Sequence, residues 1–217
     1  MADPHRLGRA LATGRLTAAK YPRRTRSPTA IRHEFTEVLN DLIDYFLLAD
    51  IRALRDFATR EELPADLATE FTTTEAADRA VESGVLLLIP GVENLPYTVA
   101  FVTAPDAPRL LEPGAQLEHR GDGYALHVEH GSLELFTWHV LGEFTESTVD
   151  ALLERYAGYG GPRVELENGW YRVDGLAGWL DAADGPEPAF EFALTKVDAR
   201  PAEANVDLAR RYSLEED

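Results

Sequence analysis

The feature that most constrains the fold is a series of short apolar or alternating runs, separated by Pro and Gly, that begins after Gly84. Runs of about four to eight residues have the length of β-strands, whereas helices usually need more. Turn residues such as Gly121-Asp122-Gly123 favour hairpins between neighbouring runs. We therefore predict a predominantly antiparallel, sandwich-like sheet with one inserted helix over 145–157. The predicted strands are 85–89, 97–103, 115–120, 124–130, 132–141, 164–166, 170–173 and 189–197.

Before these runs, apolar residues recur at three- and four-residue steps from Ile31 to Phe57, which is the period of an amphipathic helix. Ser27-Pro28 has the pattern of an N-cap followed by proline at the first helical position, and Pro64 follows the stripe. The pattern predicts one long helix over 28–60 and a shorter helix over 74–82. The fold class is thus α+β, with a long N-terminal amphipathic helix packed on the sheet.

The predicted organisation has four parts. A basic arm over 1–26 precedes a helical segment over 27–83. A β-rich domain over 84–200 follows, and residues 201–217 form a C-terminal helix over 202–212 or an acidic tail. Glycines and prolines in the arm, and its shortage of large apolar residues, leave it little to bury.

Charge is divided unevenly along the chain. The whole sequence carries −17, but residues 1–32 hold eight basic residues against one acid, so that segment is +7 and the remainder is −24. The arm could bind nucleic acid or an acidic protein, or it could lie along the acidic body of its own chain. Its candidate binding residues are Arg6, Arg9, Arg15, Arg23, Arg24 and Arg26.

The composition also excludes several classes of chemistry. The chain has no Cys, which rules out disulfides, thiol catalysis and Cys-ligated metals. Its apolar runs are too short for a membrane span, and the N-terminus lacks an apolar stretch of signal-peptide length, so we expect a cytoplasmic protein that does not enter membranes. The acidic balance fits a high-salt cytoplasm, a GC-rich genome that favours Arg codons, or an acidic face made for a basic protein partner.

One group of side chains could support acid–base or metal chemistry. His127 and Glu129 share a face of their predicted strand, and a turn at Gly131-Ser132 would place His127 opposite Glu134. The spacing matches no common metal-ligand motif, and neither a phosphate-binding loop nor a Gly-x-Ser-x-Gly nucleophile motif occurs. We expect no metal, no cofactor and no catalytic residue; a hydrolase that uses His127, Glu129 and Glu134 is a third hypothesis.

Trp170 and Trp179 both come after an Asn168-Gly169 turn signal, and Trp170 follows it directly. Aromatic residues in such strands usually belong to the core. The alternative is that one Trp is an exposed anchor of an interface, because Trp, Tyr and Arg dominate binding hot spots.

Three segments, 83–90, 164–173 and 187–194, together give a resemblance. Over residues 83–200 the chain resembles acidic toxin-neutralising immunity proteins and related uncharacterised β-rich bacterial proteins. The resemblance implies a non-enzymatic inhibitor and assigns no functional residue. Our leading hypothesis is a protein-binding module that engages a basic partner. The alternative is a structural or assembly component, virion or ribosome-associated, that is anchored by its basic arm.

Overall fold

A computed structural model describes residues 30–39, 43–158, 161–207 and 210–214. The basic arm and the acidic C-terminal residues 215–217 lie outside these ranges. In chain order the elements are β1 (Arg32–Val38), β2 (Tyr45–Ala49), α1 (Ile51–Arg60), α2 (Leu67–Thr73), α3 (Ala76–Glu82), β3 (Leu87–Pro90), β4 (Pro96–Thr103), β5 (Gln116–Val128), β6 (Ser132–Thr137), α4 (Glu146–Tyr156), β7 (Arg163–Glu165), β8 (Gly169–Ala182) and β9 (Gly185–Val197), with 3₁₀ turns at Arg109–Leu111 and Trp138–Glu143.

The strands of the described chain form two sheets. The first has five strands in the order β1-β4-β9-β8-β5, and the second has four in the order β3-β2-β6-β7. Neighbouring strands are antiparallel except for the parallel pair β4 and β9. The predicted α+β class with antiparallel-dominated sheets is confirmed.

Side chains that alternate between the two faces of a strand place apolar residues in two separate cores. In β2, Phe46 and Leu48 face the core between the two sheets, whereas Leu47 and Ala49 face a second core beneath the helices. Successive side chains of a strand point to opposite faces, so a strand that is apolar on both faces serves two cores. The four α-helices of the described residues therefore cover the outer face of the second sheet. None of the described helices is long and apolar enough to cross a membrane.

The long helix predicted over 28–60 is wrong for much of its length. Of the described residues in this range, 32–38 and 45–49 are strands, and only Ile51–Arg60 is helical. The N-cap is Asp50, whose side chain accepts a hydrogen bond from the Ala53 N–H at 3.1 Å. Aromatic and branched residues tolerate either conformation, and pairing of β1 with β4 and of β2 with β6 decides for the strand.

The predicted hairpin at Gly121-Asp122-Gly123 is also wrong. Residues 116–128 form one strand that pairs with β8 through a register shift between Gly121 and Tyr124. The shift accommodates the turn-like residues as a bulge. By contrast, β4, β9, α3 and α4 are confirmed, and Thr145 caps α4 as expected.

The C-terminal helix predicted over 202–212 is absent from the described residues of that range. Asn205 instead forms an isolated bridge with Tyr124, and Tyr212 is buried in the core between the sheets. Packing of one large aromatic residue outweighs the weak helical pattern here. The proposed boundaries at residues 26, 83 and 200 stay predictions.

Candidate binding surfaces

Carboxylates dominate the exposed surface of the helical layer, which comprises residues 51–82 and 138–156. Eleven acidic side chains are exposed there, against three exposed basic ones, Arg60, Arg79 and Arg155. We call these eleven the acidic helical face: Asp56, Glu61, Glu62, Asp66, Glu75, Asp78, Glu82, Glu143, Glu146, Asp150 and Glu154.

Helical spacing produces this arrangement. In α3, Ala76, Ala77, Ala80 and Val81 are buried against the sheet, which leaves the charged positions of the helix in solvent. A few carboxylates pair with nearby Arg side chains, as Glu61 does with Arg79 at 3.4 Å. Glu62, Glu82, Asp150 and others form no ion pair within the described chain, so the face keeps a net negative charge.

Two other carboxylates are fully buried, at the N-terminus of α1. Besides capping α1, Asp50 accepts hydrogen bonds from the N–H groups of Glu129 (2.8 Å) and His130 (2.6 Å). Glu134 accepts from the Ile51 N–H at 3.1 Å and from the Ser132 hydroxyl at 2.6 Å. Burial raises the pKa of Glu134, while these two hydrogen bonds oppose the rise. Both side chains are held by partners inside the protein, and we assign them to the framework.

The predicted cluster of His127, Glu129 and Glu134 does not assemble. His127 and Glu129 do meet, with Nδ1 and Oε1 3.0 Å apart. Glu134 lies instead against α1, because β5 pairs with β8 while β6 belongs to the second sheet. The described residues contain no group of three His, Asp or Glu side chains arranged to hold a metal ion.

The two tryptophans differ in their surroundings. The ring of Trp170 is half-buried and stacks on His127, with centroids 4.5 Å apart and 19° between the planes. The Arg200 guanidinium lies 5.9 Å from the same ring. Trp179 packs against the core between the sheets. A binding role for either residue stays a prediction, and the arginines of the arm lie outside the described residues.

The acidic helical face as a unit was not predicted from the sequence. Acidic residues occur throughout the chain, and the only local signal was their helical spacing over 75–82. Their neighbours in α1 and α4 join them only through tertiary packing.

The sequence matches no protein-family model and no curated protein. Two solved structures show a partial likeness to this chain. One is named crocagin biosynthetic gene J. It superimposes with a TM-score of 0.42 and 16% sequence identity, and the match covers 76% of this chain and 98% of the other. The second is ComJ from Bacillus subtilis, described as an inhibitor of the DNA-degrading activity of NucA. It superimposes with a TM-score of 0.39 and 10% sequence identity, and the match covers 77% of this chain and 96% of the other.

Proposed function

We propose that this protein is a non-enzymatic protein-binding module whose acidic helical face binds a basic surface of a partner protein, most simply to block that surface as an inhibitor. The observation that carries the proposal is the excess of eleven exposed carboxylates over three exposed Arg side chains across one layer. The electrostatic potential of a surface that carries mostly negative charge steers a positively charged partner into contact and disfavours binding of negatively charged proteins.

The rigidity of the layer supports the same function. Leu54, Phe57, Phe71 and Leu152 are among the buried residues that anchor the helices to the second sheet. Side chains carried on packed helices lose little freedom when a partner binds, so less of the interaction energy is offset by ordering. Occlusion of this kind needs no catalytic group.

Assembly through the basic arm is the second candidate. The contrast between +7 over residues 1–32 and −24 over the rest favours it, because such an arm could bind a polyanion while the body faces solvent. Removal of residues 1–26 distinguishes the two functions: an inhibitor that uses its helical face keeps its partner, and an arm-anchored component loses it.

Affinity isolation from the native host tests the leading proposal. The test variant carries Glu82→Gln, Glu143→Gln, Asp150→Asn and Glu154→Gln, all exposed on the acidic helical face. A control with the same change in net charge carries Asp106→Asn, Glu112→Gln, Asp181→Asn and Asp184→Asn. All four are exposed: two lie between β4 and β5, one at the end of β8 and one in the β8–β9 turn.

We expect the wild type and the control to recover the same basic protein, identified by mass spectrometry, and the helical-face variant to bind it about tenfold more weakly or worse. Binding of the wild type should weaken at high ionic strength. Equal recovery by both variants, or recovery of an acidic partner only, would refute the proposal.

A further inference from the structure

A cleft of about 450 Å³ opens where β2 and β3 meet the ends of α2 and α3. Phe71, Leu88 and Trp138 line it and are each less than a tenth exposed. The ring of Tyr45 lies beside that of Trp138, with centroids 5.3 Å apart and 52° between the planes. Ile43 also lines the cleft and remains 41% exposed. Its walls are thus apolar and aromatic, yet open to solvent.

The rest of the lining consists of two carboxylates, Asp44 and Asp78, together with Thr72, Thr74 and Ala77, and it includes no Lys or Arg among the described residues. Asp78 is exposed and forms no ion pair within the described chain. Asp44 pairs at 2.5 Å with Arg211, whose side chain is itself 64% exposed. Four other clefts of the described chain each contain a basic side chain of their own, namely Arg55, Lys196, Arg79 and Arg155. This cleft therefore combines aromatic walls with negative charge that its own lining does not neutralise.

We propose that the cleft binds the side chain of an arginine presented by the partner protein, an inference that rests on the proposed function. A guanidinium stacks on aromatic faces and forms paired hydrogen bonds with carboxylates, and it is more weakly hydrated than an ammonium. The methylene stem of the arginine would lie along Phe71, Leu88 and Ile43, while its head reaches the Tyr45 and Trp138 rings and Asp78. Arg211 already occupies one side of Asp44, which leaves Asp78 as the carboxylate for the incoming group.

The experiment uses the full chain, labelled with ¹⁵N, and follows the indole N–H resonance of Trp138 during titration with N-acetyl-arginine amide. N-acetyl-citrulline amide, which has nearly the same shape without the charge, and N-acetyl-lysine amide are the comparison probes. Asp78→Asn is the test variant. Asp150→Asn, an exposed carboxylate of α4 outside the cleft, is its matched control; both variants are checked for an unchanged thermal midpoint.

We expect a saturable shift with a dissociation constant on the order of 1–10 mM for the arginine probe, and binding at least about fivefold weaker for citrulline and for Asp78→Asn. Lysine should bind with intermediate strength, and Asp150→Asn should bind like the wild type. Equal binding of arginine and citrulline, an unchanged affinity in Asp78→Asn, or no saturable shift would overturn the inference.

The outcome separates this inference from the proposed function. A basic partner that is recovered normally by Asp78→Asn, but poorly by the four-site helical-face variant, leaves the function in place and removes the arginine site. An arginine probe that binds in the cleft of a protein with no basic partner keeps the site and refutes the function.

Discussion

Asp50 stands at the junction of β2 and α1, where one carboxylate serves three backbone N–H groups. It caps α1 through the Ala53 N–H and holds the turn after β5 through the Glu129 and His130 N–H groups. The Asp50 side chain is almost fully buried, so its loss would remove the acceptor of all three N–H groups from the interior. Asp50 thus connects α1 with the turn after β5, a strand of the five-stranded sheet.

We predict that Asp50→Ala lowers the free energy of unfolding by about 2–4 kcal/mol, the sum of a lost N-cap and two partly buried donors that lose their acceptor. Asp66→Ala is the matched control, since Asp66 caps α2 through the Thr69 N–H at 3.0 Å but is exposed, and its loss should lower the free energy of unfolding much less than Asp50→Ala does. Urea denaturation measures both. Equal losses in the two variants would show that the contacts to the turn contribute nothing.

At the scale of elements, the C-terminal segment joins the two sheets. The Asn205 N–H donates to Gly123 O within β5, and the Tyr212 N–H donates to Pro90 O at the end of β3, each at 2.9 Å. The Tyr212 ring is buried between the sheets, and its hydroxyl lies 3.0 Å from that of Tyr124. Gly121 makes room for this pair, because a Cβ at that position would overlap both hydroxyls.

We predict that Tyr212→Ala lowers the free energy of unfolding by about 3–5 kcal/mol, because it leaves a cavity between the sheets. Tyr212→Phe keeps the ring and loses only the hydroxyl pair, so it should cost about 1 kcal/mol. Both values come from chemical denaturation. If Tyr212→Ala lowers the free energy of unfolding no more than Tyr212→Phe does, packing of the C-terminal segment does not stabilise the core.

At the scale of the whole molecule, a charge of −17 acts against compactness. Like charges that are brought together on folding repel one another, and salt screens that repulsion. On the acidic helical face the carboxylates exceed the available cations, so the repulsion should be strongest there.

We predict that raising NaCl from about 10 to about 150 mM increases the thermal midpoint by about 4 °C or more, since the screening length falls from roughly 30 to 8 Å. The four-site helical-face variant should show a smaller increase than the wild type. The control variant has the same net charge but should respond more like the wild type. Differential scanning calorimetry at several salt concentrations measures this, and a flat midpoint in the wild type would contradict it.

Some of the fold could be predicted from the sequence because its signals are local. The alternating residues of β4 and β9, the Thr145 cap of α4 and the spacing of α3 each require only neighbouring residues. The apolar stripe from Ile31 to Phe57 fits more than one period, so it predicted a helix where two strands and a helix form. The contact between His127 and Glu129 could also be predicted, because the two residues are close in the chain. The position of Glu134 could not, because it depends on which strands pair.

The sequence by itself determined the α+β class, the absence of thiol chemistry and the excess of negative charge, because composition and short-range periodicity suffice for these. Tertiary structure alone decided which strands pair, since a strand of given alternation can pair with any other whose apolar face shares its core. It therefore separated β5 from β6, moved Glu134 to the α1 terminus and buried Tyr212. It also gathered carboxylates from α1, α3 and α4 onto one surface, because helix packing against a common sheet joins residues that are distant in the chain.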